Sequence, residues 1–275
     1  MEGRIVKLVS GDYFVCCWKK IYVCKALGVF RYKNIEPKVG DYVKINEKDK
    51  VITEVKDRFN NLDRPCVSNV TNAFIVTSLK TPDFSLNLLD KQLLICELNN
   101  IKPVIIITKK DLVSKDTLKS VKQILKYYKR IGYKVLYNTN ILRIKLLLRG
   151  KTTVFTGQTG AGKSTLLNKL DKNLNFEVGD VSKALGRGKH TTRYTSLVNI
   201  CHGYVIDTPG FSDISLAKYS KYDIRNAMRE FRNYKCPYKD CLHEKEDECL
   251  LKKDVGTFIL KSRYDNYIKF ISGLK

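Results

Sequence analysis

Gly157-Gln158-Thr159-Gly160-Ala161-Gly162-Lys163-Ser164 follows the strand-like run Thr152-Thr153-Val154-Phe155-Thr156 and leads into Thr165-Leu166-Leu167-Asn168-Lys169-Leu170. This strand, glycine-rich loop and helix in succession decide the fold. The pattern is a phosphate loop, and the strand and helix around it are the context the motif requires. Its glycines let backbone N–H groups turn inward around phosphates, at a helix N-terminus whose dipole favours anions. Lys163 is expected to reach the β- and γ-phosphate oxygens and Ser164 to ligate Mg²⁺. Gly157, Gln158, Thr159, Gly160, Ala161, Gly162 and Thr165 complete the predicted phosphate-binding set. A chance glycine-rich turn would not place strand, loop, Lys-Ser and helix in register.

A phosphate loop does not separate ATP from GTP, but two further segments do. Asp207-Thr208-Pro209-Gly210 follows the strand-like Gly203-Tyr204-Val205-Ile206, as a metal-facing aspartate and a γ-phosphate-sensing glycine would. Thr108-Lys109-Lys110-Asp111 ends the run Val104-Ile105-Ile106-Ile107 and matches the N/T-K-x-D element that reads guanine. The Asp111 carboxylate can accept from guanine N1–H and the 2-amino group together, a pair of donors adenine lacks. Thr108 stands where many GTPases carry Asn, which leaves the discrimination to Asp111. An ATPase would require this element to be accidental.

The order is unusual, because the base-reading element precedes the phosphate loop. A parallel sheet tolerates such a circular permutation when the old termini are joined and the chain is cut elsewhere. The segment after Asp207 then leads directly into the C-terminal module, giving nucleotide state a covalent route to it. Between the two phosphate-side motifs lies Gly186-Arg187-Gly188-Lys189-His190-Thr191-Thr192-Arg193. Thr191 or Thr192 can complete Mg²⁺ coordination when the γ-phosphate is present, and spacing does not choose between them. Phe211 follows Gly210 where familiar GTPases keep a water-orienting Gln. Phenylalanine cannot orient water, so His190 is the expected catalytic group beside Lys163; the competing reading is that His190 contacts RNA or caps its loop.

From residue 70 to about 215, buried-type strands alternate with helical patterns, the signature of a doubly wound α/β domain. Residues 1–62 instead show five short strand runs separated by turn signals, which suggests a small barrel of OB type; an SH3-like barrel gives nearly the same pattern. Beyond residue 215 the chain is charged and helical around Cys236, Cys241, His243 and Cys249, spaced C-x4-C-x-H-x5-C. Three thiolates and an imidazole suit one structural, tetrahedral Zn²⁺ site. The domain limits are therefore 1–65 for an RNA-binding barrel, 66–215 for a permuted P-loop GTPase and 216–275 for a zinc-binding helical unit.

The chain of 275 residues carries a formal net charge of +23, a field that favours polyanions. A biased genome that enriches Lys, Asn and Ile together is the competing source of part of that charge. No apolar run approaches the roughly 20 residues of a spanning helix, and the N-terminus lacks the pattern of a signal peptide. A cytoplasmic monomer that meets RNA is expected, not a membrane protein. Nine cysteines without secretory context argue against a disulfide framework. Cys16, Cys17, Cys24, Cys66, Cys96 and Cys201 are expected to be small buried packing residues.

With these motifs in hand, the chain resembles the circularly permuted small-ribosomal-subunit biogenesis GTPases of bacteria, the RsgA/YjeQ type, also called EngC. The resemblance rests on Arg58-Phe59-Asn60-Asn61-Leu62-Asp63-Arg64-Pro65 closing the barrel, the order of the four nucleotide motifs, the zinc spacing, and the final Arg263-Tyr264-Asp265-Asn266-Tyr267 helix. It implies an OB barrel, a permuted GTPase and a zinc domain. It also implies binding to the 30S subunit and its 16S rRNA late in maturation, with GTP hydrolysed to GDP under stimulation by the subunit. The family's proposed catalytic histidine falls on His190, and its zinc ligands on Cys236, Cys241, His243 and Cys249. One departure is Asn138-Thr139-Asn140, where the family usually has a Ser-containing loop against guanine; Thr139 or backbone is expected there instead. The alternative function is a GTP-switched RNA-binding assembly factor with negligible hydrolysis.

Overall fold

Alternation of apolar and polar residues builds the first five strands, each burying one face. The computed structural model describes residues 1–32, 35–63, 65–171, 195–207 and 215–274. Strands β1 (Glu2–Val9), β2 (Asp12–Cys17), β3 (Lys20–Ala26), β4 (Tyr42–Asn46) and β5 (Val51–Val55) pair in the order β1-β2-β3-β5-β4, and β4 returns to β1. The β3–β5 pair is parallel, and a four-residue helix, α1 (Val29–Tyr32), lies in the β3–β4 connection. This closed five-stranded ring is the OB arrangement, which settles the choice against the SH3-like alternative. Ile5, Val15, Val43 and Ile52 fill it with no exposed surface. Buried Asp41 ties its base down by accepting from Arg58 at 2.6 and 2.7 Å and from the Lys38 backbone N–H at 2.7 Å.

A two-residue hairpin, β6 (Asn61–Leu62) and β7 (Val67–Ser68), then leads into the nucleotide domain. Its elements are β8 (Asn72–Ser78), α2 (Leu86–Leu98), β9 (Lys102–Thr108), α3 (Lys115–Arg130), β10 (Lys134–Tyr137), α4 (Ile141–Leu148), β11 (Thr152–Thr156), α5 (Lys163–Leu170), β12 (Ser196–Ile200) and β13 (Gly203–Asp207). The sheet order is β10-β9-β8-β11-β13-β12, parallel except for β12. β8, β9 and β11 are buried on both faces because helices cover both; Phe74 of β8 meets Phe155 of β11 edge to face at 5.2 Å. The strand order turns back at β8, with β9 on one side and β11 on the other, and this switch opens a crevice at the carboxyl ends.

The permutation has a visible join. Three residues, Arg149-Gly150-Lys151, connect α4 to β11, and Gly150 takes a left-handed φ of 66° while its N–H donates to the His202 carbonyl at 2.9 Å. β1 also runs against β12 at Lys7 and Ser196, so barrel and nucleotide sheet are continuous. Beside that seam the Arg4 guanidinium lies between the rings of Tyr42 and Tyr204, at 5.0 and 5.2 Å, and donates to the Gly40 carbonyl at 3.1 Å.

The last unit holds α6 (Lys221–Ala227), opened by a Ser220/Asp223 capping box, a 3₁₀ turn at Arg229–Asn233, α7 (Leu250–Lys253) and α8 (Lys261–Ser272). Helices α6 and α8 pack on α2 around a buried ionic cluster. Arg263 has no exposed surface; its Nη1 donates to Asp90 and its Nε to Glu230, both at 2.7 Å. Asn266 and Tyr128 donate to the same Asp90 carboxylate at 2.6 and 2.5 Å. Burial opposes the Arg263 charge, yet Glu230 and Asp90 outweigh it and raise its pKa well above the ordinary value. At the rim, Glu97 of α2 accepts from Arg229 at 2.7 Å and Arg232 at 3.2 Å.

One expectation changes. Cys17, Cys24 and Cys96 are buried as packing residues, but Cys66 is exposed in the β6–β7 turn, and Cys16 and Cys201 are half-buried. Cys66 sits exposed in that turn although its neighbours Pro65 and Val67 are buried. Among the described residues no helix is long and apolar enough to cross a membrane.

Removing one partner of the buried cluster strands the others. Arg263→Met should lower stability by about 3–5 kcal/mol, read as a shift in the denaturant midpoint, with Arg263→Lys intermediate. An unchanged midpoint for Arg263→Met would show that the cluster carries no such constraint.

Candidate nucleotide site and metal centre

The loops that follow β8, β9 and β11 meet at one edge of the sheet. After β11, Gly157 takes φ 134°, and a Cβ there would lie 2.0 Å from the Val76 carbonyl oxygen of β8. No other residue fits, since backbone cannot move aside. Gly162 is left-handed at φ 93° and caps α5, leaving that helix's first N–H groups facing the loop. The Lys163 ammonium folds back over the loop and donates to the carbonyls of Gly157 and Gln158, both at 2.7 Å. Ser164 is buried in the first turn of α5, while Thr159 and Gly160 are exposed at the loop's crown and Thr165 on the helix surface.

The segment Thr108–Asp111 sits against this loop. Thr108, only 2% exposed, donates its hydroxyl to the Ala161 carbonyl at 2.7 Å. It thereby pins the loop after β11 to the end of β9. Lys109 is left-handed, at φ 54°, and its ammonium donates to the Thr81 carbonyl in the loop after β8. That reversal opens a short 3₁₀ turn, Lys110–Leu112, with Asp111 exposed in it. Beside it, the Asn138 N–H donates to the Ile107 carbonyl at 2.9 Å, and exposed Thr139 follows. The sequence did not mark the loop after β8 as part of the site. Pro82 lies against the phosphate-loop crown, with its Cδ 3.7 Å from where a Cβ on Gly160 would stand. The only signal was a Thr-Pro-Asp turn after a buried strand.

Asp207 closes β13 at the same edge of the sheet. Thr208, Pro209, Gly210 and Phe211 lie outside the described residues, as do His190, Thr191 and Thr192.

In the C-terminal unit the ligand atoms of Cys236, Cys241, His243 and Cys249 lie within 4.8 Å of one another. The His243 Nδ1 is 3.5, 3.3 and 3.2 Å from the sulfurs of Cys236, Cys241 and Cys249, and the Cys236 and Cys249 sulfurs are 3.8 Å apart. A tetrahedron with Zn–S near 2.3 Å and Zn–N near 2.0 Å has edges of about 3.8 Å between sulfurs and about 3.5 Å from nitrogen to sulfur. The cluster therefore fits a four-coordinate zinc site with no open position. Burial pushes the Cys241 thiol up to about 12 and raises that of Cys249, so a cation is what makes thiolates affordable there. The His243 ring packs edge-on against Phe231 at 5.5 Å, and Tyr264 donates to the His243 carbonyl at 2.7 Å. Next to the cluster is a cavity of about 560 Å³ lined by Arg225, Arg232, Lys235, Tyr238 and Lys239.

Comparison with known proteins places these features together. The RsgA GTPase family matches residues 49–217, and the RsgA N-terminal domain matches residues 2–52. "Small ribosomal subunit biogenesis GTPase RsgA 2" of Oceanobacillus iheyensis is 41% identical, covering 100% of this chain and 97% of that protein. The protein named "Small ribosomal subunit biogenesis GTPase RsgA" in Clostridium beijerinckii is 41% identical over 98% of this chain and 96% of its own. Among solved structures, YloQ, described as a circularly permuted GTPase, superposes with a TM-score of 0.82 at 35% identity, covering 98% of this chain and 93% of that one. YjeQ from Thermotoga maritima superposes with a TM-score of 0.85 at 30% identity, covering 100% and 99%.

Purified protein should contain one zinc per chain by elemental analysis. Cys249→Ser should lose it and unfold the C-terminal unit at a temperature several degrees lower, about 1 kcal/mol or more. Retention of full zinc by that variant would remove Cys249 from the ligand set.

Proposed function

The chain belongs to the RsgA GTPase family, and from that premise we propose that it binds the 30S ribosomal subunit and hydrolyses GTP to GDP and phosphate during the subunit's late maturation, faster when the subunit is bound. The observation that carries the nucleotide part is the Thr108–Ala161 bond, which holds the base-reading and phosphate-reading loops at one edge of the sheet.

In this reading Asp111 accepts from guanine, Lys109 braces the loop beneath it, and Thr139 or its backbone covers the other side. Gly157 to Thr165 wrap the phosphates, with the Lys163 ammonium released from its own loop carbonyls to meet the β- and γ-oxygens. Mg²⁺, held by Ser164, Asp207 and Thr191 or Thr192, would neutralise charge developing on the phosphoryl oxygens. Gly210 reads the γ-phosphate. Phe211 cannot orient water, so His190 takes that role, and Lys163 with His190 forms the catalytic pair. Intrinsic turnover is slow because loop and water must be ordered together, and the 30S surface supplies the order.

The partner is a polyanion, 16S rRNA, which suits a net charge of +23 and the cationic cavity beside the zinc cluster. We divide the chain at 1–65, 66–215 and 216–275, with barrel and zinc unit both reaching RNA. The protein acts as a cytoplasmic monomer and takes no membrane. Because α8 and α6 are clamped to α2, a nucleotide-driven movement of the zinc unit must carry α2 with it.

GTP turnover should exceed ATP turnover and rise many-fold with 30S subunits, and His190→Ala should abolish the rise while nucleotide binding persists. Gly157→Ala should lose binding itself. Turnover indifferent to 30S would end the ribosomal assignment but leave the GTPase.

A further inference from the structure

We propose that Trp18 is a stacking platform for an unpaired base of single-stranded RNA. The inference rests on the RNA-binding part of the preceding reading and assigns one residue and one mode of contact within it. Trp18 is the chain's one tryptophan and is 95% exposed. It stands at the tip of the β2–β3 hairpin, where Cys17 pairs directly with Lys20. Trp18 and Lys19 both take positive φ, 48° and 71°. A two-residue turn of this kind favours Asn-Gly, and a bulky residue there works against backbone preference. Neither folding nor burial accounts for an indole at that position.

Its surroundings have the chemistry of a single-strand track. On the outward side of the same ribbon Phe14 pairs with Val23 and Cys16 with Ile21; Ile21 and Val23 are 49% and 45% exposed. Cations accompany the rings. Lys7 Nζ lies 5.4 Å from the Phe14 ring centroid, while Lys19 and Lys20 are exposed at the tip. Lys20 also stands 4.0 Å from Glu47, a loose pair that leaves its charge accessible. Rings for bases and ammonium groups for phosphates are what sequence-tolerant binding of unpaired RNA requires. A lipid surface would instead want a broad apolar face, and this strip is narrow and interrupted by charge.

The single tryptophan is its own probe. An unstructured oligoribonucleotide titrated into the full-length protein should quench Trp18 fluorescence to saturation, whereas inorganic polyphosphate at equal charge should not. Trp18→Ala should weaken oligonucleotide binding about tenfold or more, and Trp18→Phe should retain most of it. Intrinsic GTP turnover of both variants should be unchanged, which certifies the fold. Equal quenching by polyphosphate, unaltered binding by Trp18→Ala, or a blue shift with anionic phospholipid vesicles in place of RNA quenching would each overturn the proposal. Stimulation by 30S of the wild-type protein is scored separately. If it is present while RNA leaves Trp18 unquenched, only the stacking role fails; if it is absent, the ribosomal reading fails whatever Trp18 does.

Discussion

The parallel ladder β9-β8-β11-β13 is the constraint on which the remaining structure depends. Its hydrogen bonds join neighbours in space and take no account of chain order. A sheet built this way must present every carboxyl end at one edge, so Thr108, Thr156 and Asp207 arrive together although the chain visits them out of the familiar sequence. The permutation therefore costs the site nothing. It needs only a short join, the turn at residues 149–151, and a place to open the chain, which falls between β13 and the strand that would otherwise follow it.

Opening the chain there hands both free ends to other units, and each is secured differently. The barrel enters through β1, hydrogen-bonded beside β12 and held by Arg4 between two tyrosine rings. The zinc unit is fastened to α2 by Arg263, Asp90 and Glu230. A buried ionic cluster is a poor source of net stability compared with apolar packing, but it tolerates few alternative arrangements. It fixes how the C-terminal unit sits on the helix that runs between β8 and β9, both of which end at the nucleotide edge.

The glycine-rich loop after β11 was legible because its residue types are dictated by backbone geometry. Gly157 is glycine because the Val76 carbonyl leaves no room, and that demand shows in a sequence. The zinc cluster was legible for a similar reason, since few constraints other than a metal gather three cysteines and a histidine so closely. The Thr108 hydroxyl bond to Ala161 is not legible in sequence, because partner and burial belong to tertiary structure and leave no local mark. Strand β12 and helix α4 carry weak sequence signals, the first because it is short and mixes polar with apolar residues on both faces, the second because a run of leucines and isoleucines has no clear period. Arg263 was noticed only as part of a terminal motif. Nothing near it in the chain announces that its partners are Asp90 and Glu230, far away in sequence. Cys66 shows the opposite case, an apolar-looking residue that the turn between β6 and β7 leaves exposed.

The seam between β1 and β12 has one more effect. Without the barrel, β12 would be an outer strand offering unsatisfied N–H and C=O groups to any other chain, the usual start of edge-to-edge aggregation. The opposite margin of the sheet is β10, four residues long and led by Lys134, a short charged border of the kind that discourages such pairing. The barrel thus covers the start of the β12 edge for its neighbour, at Ser196.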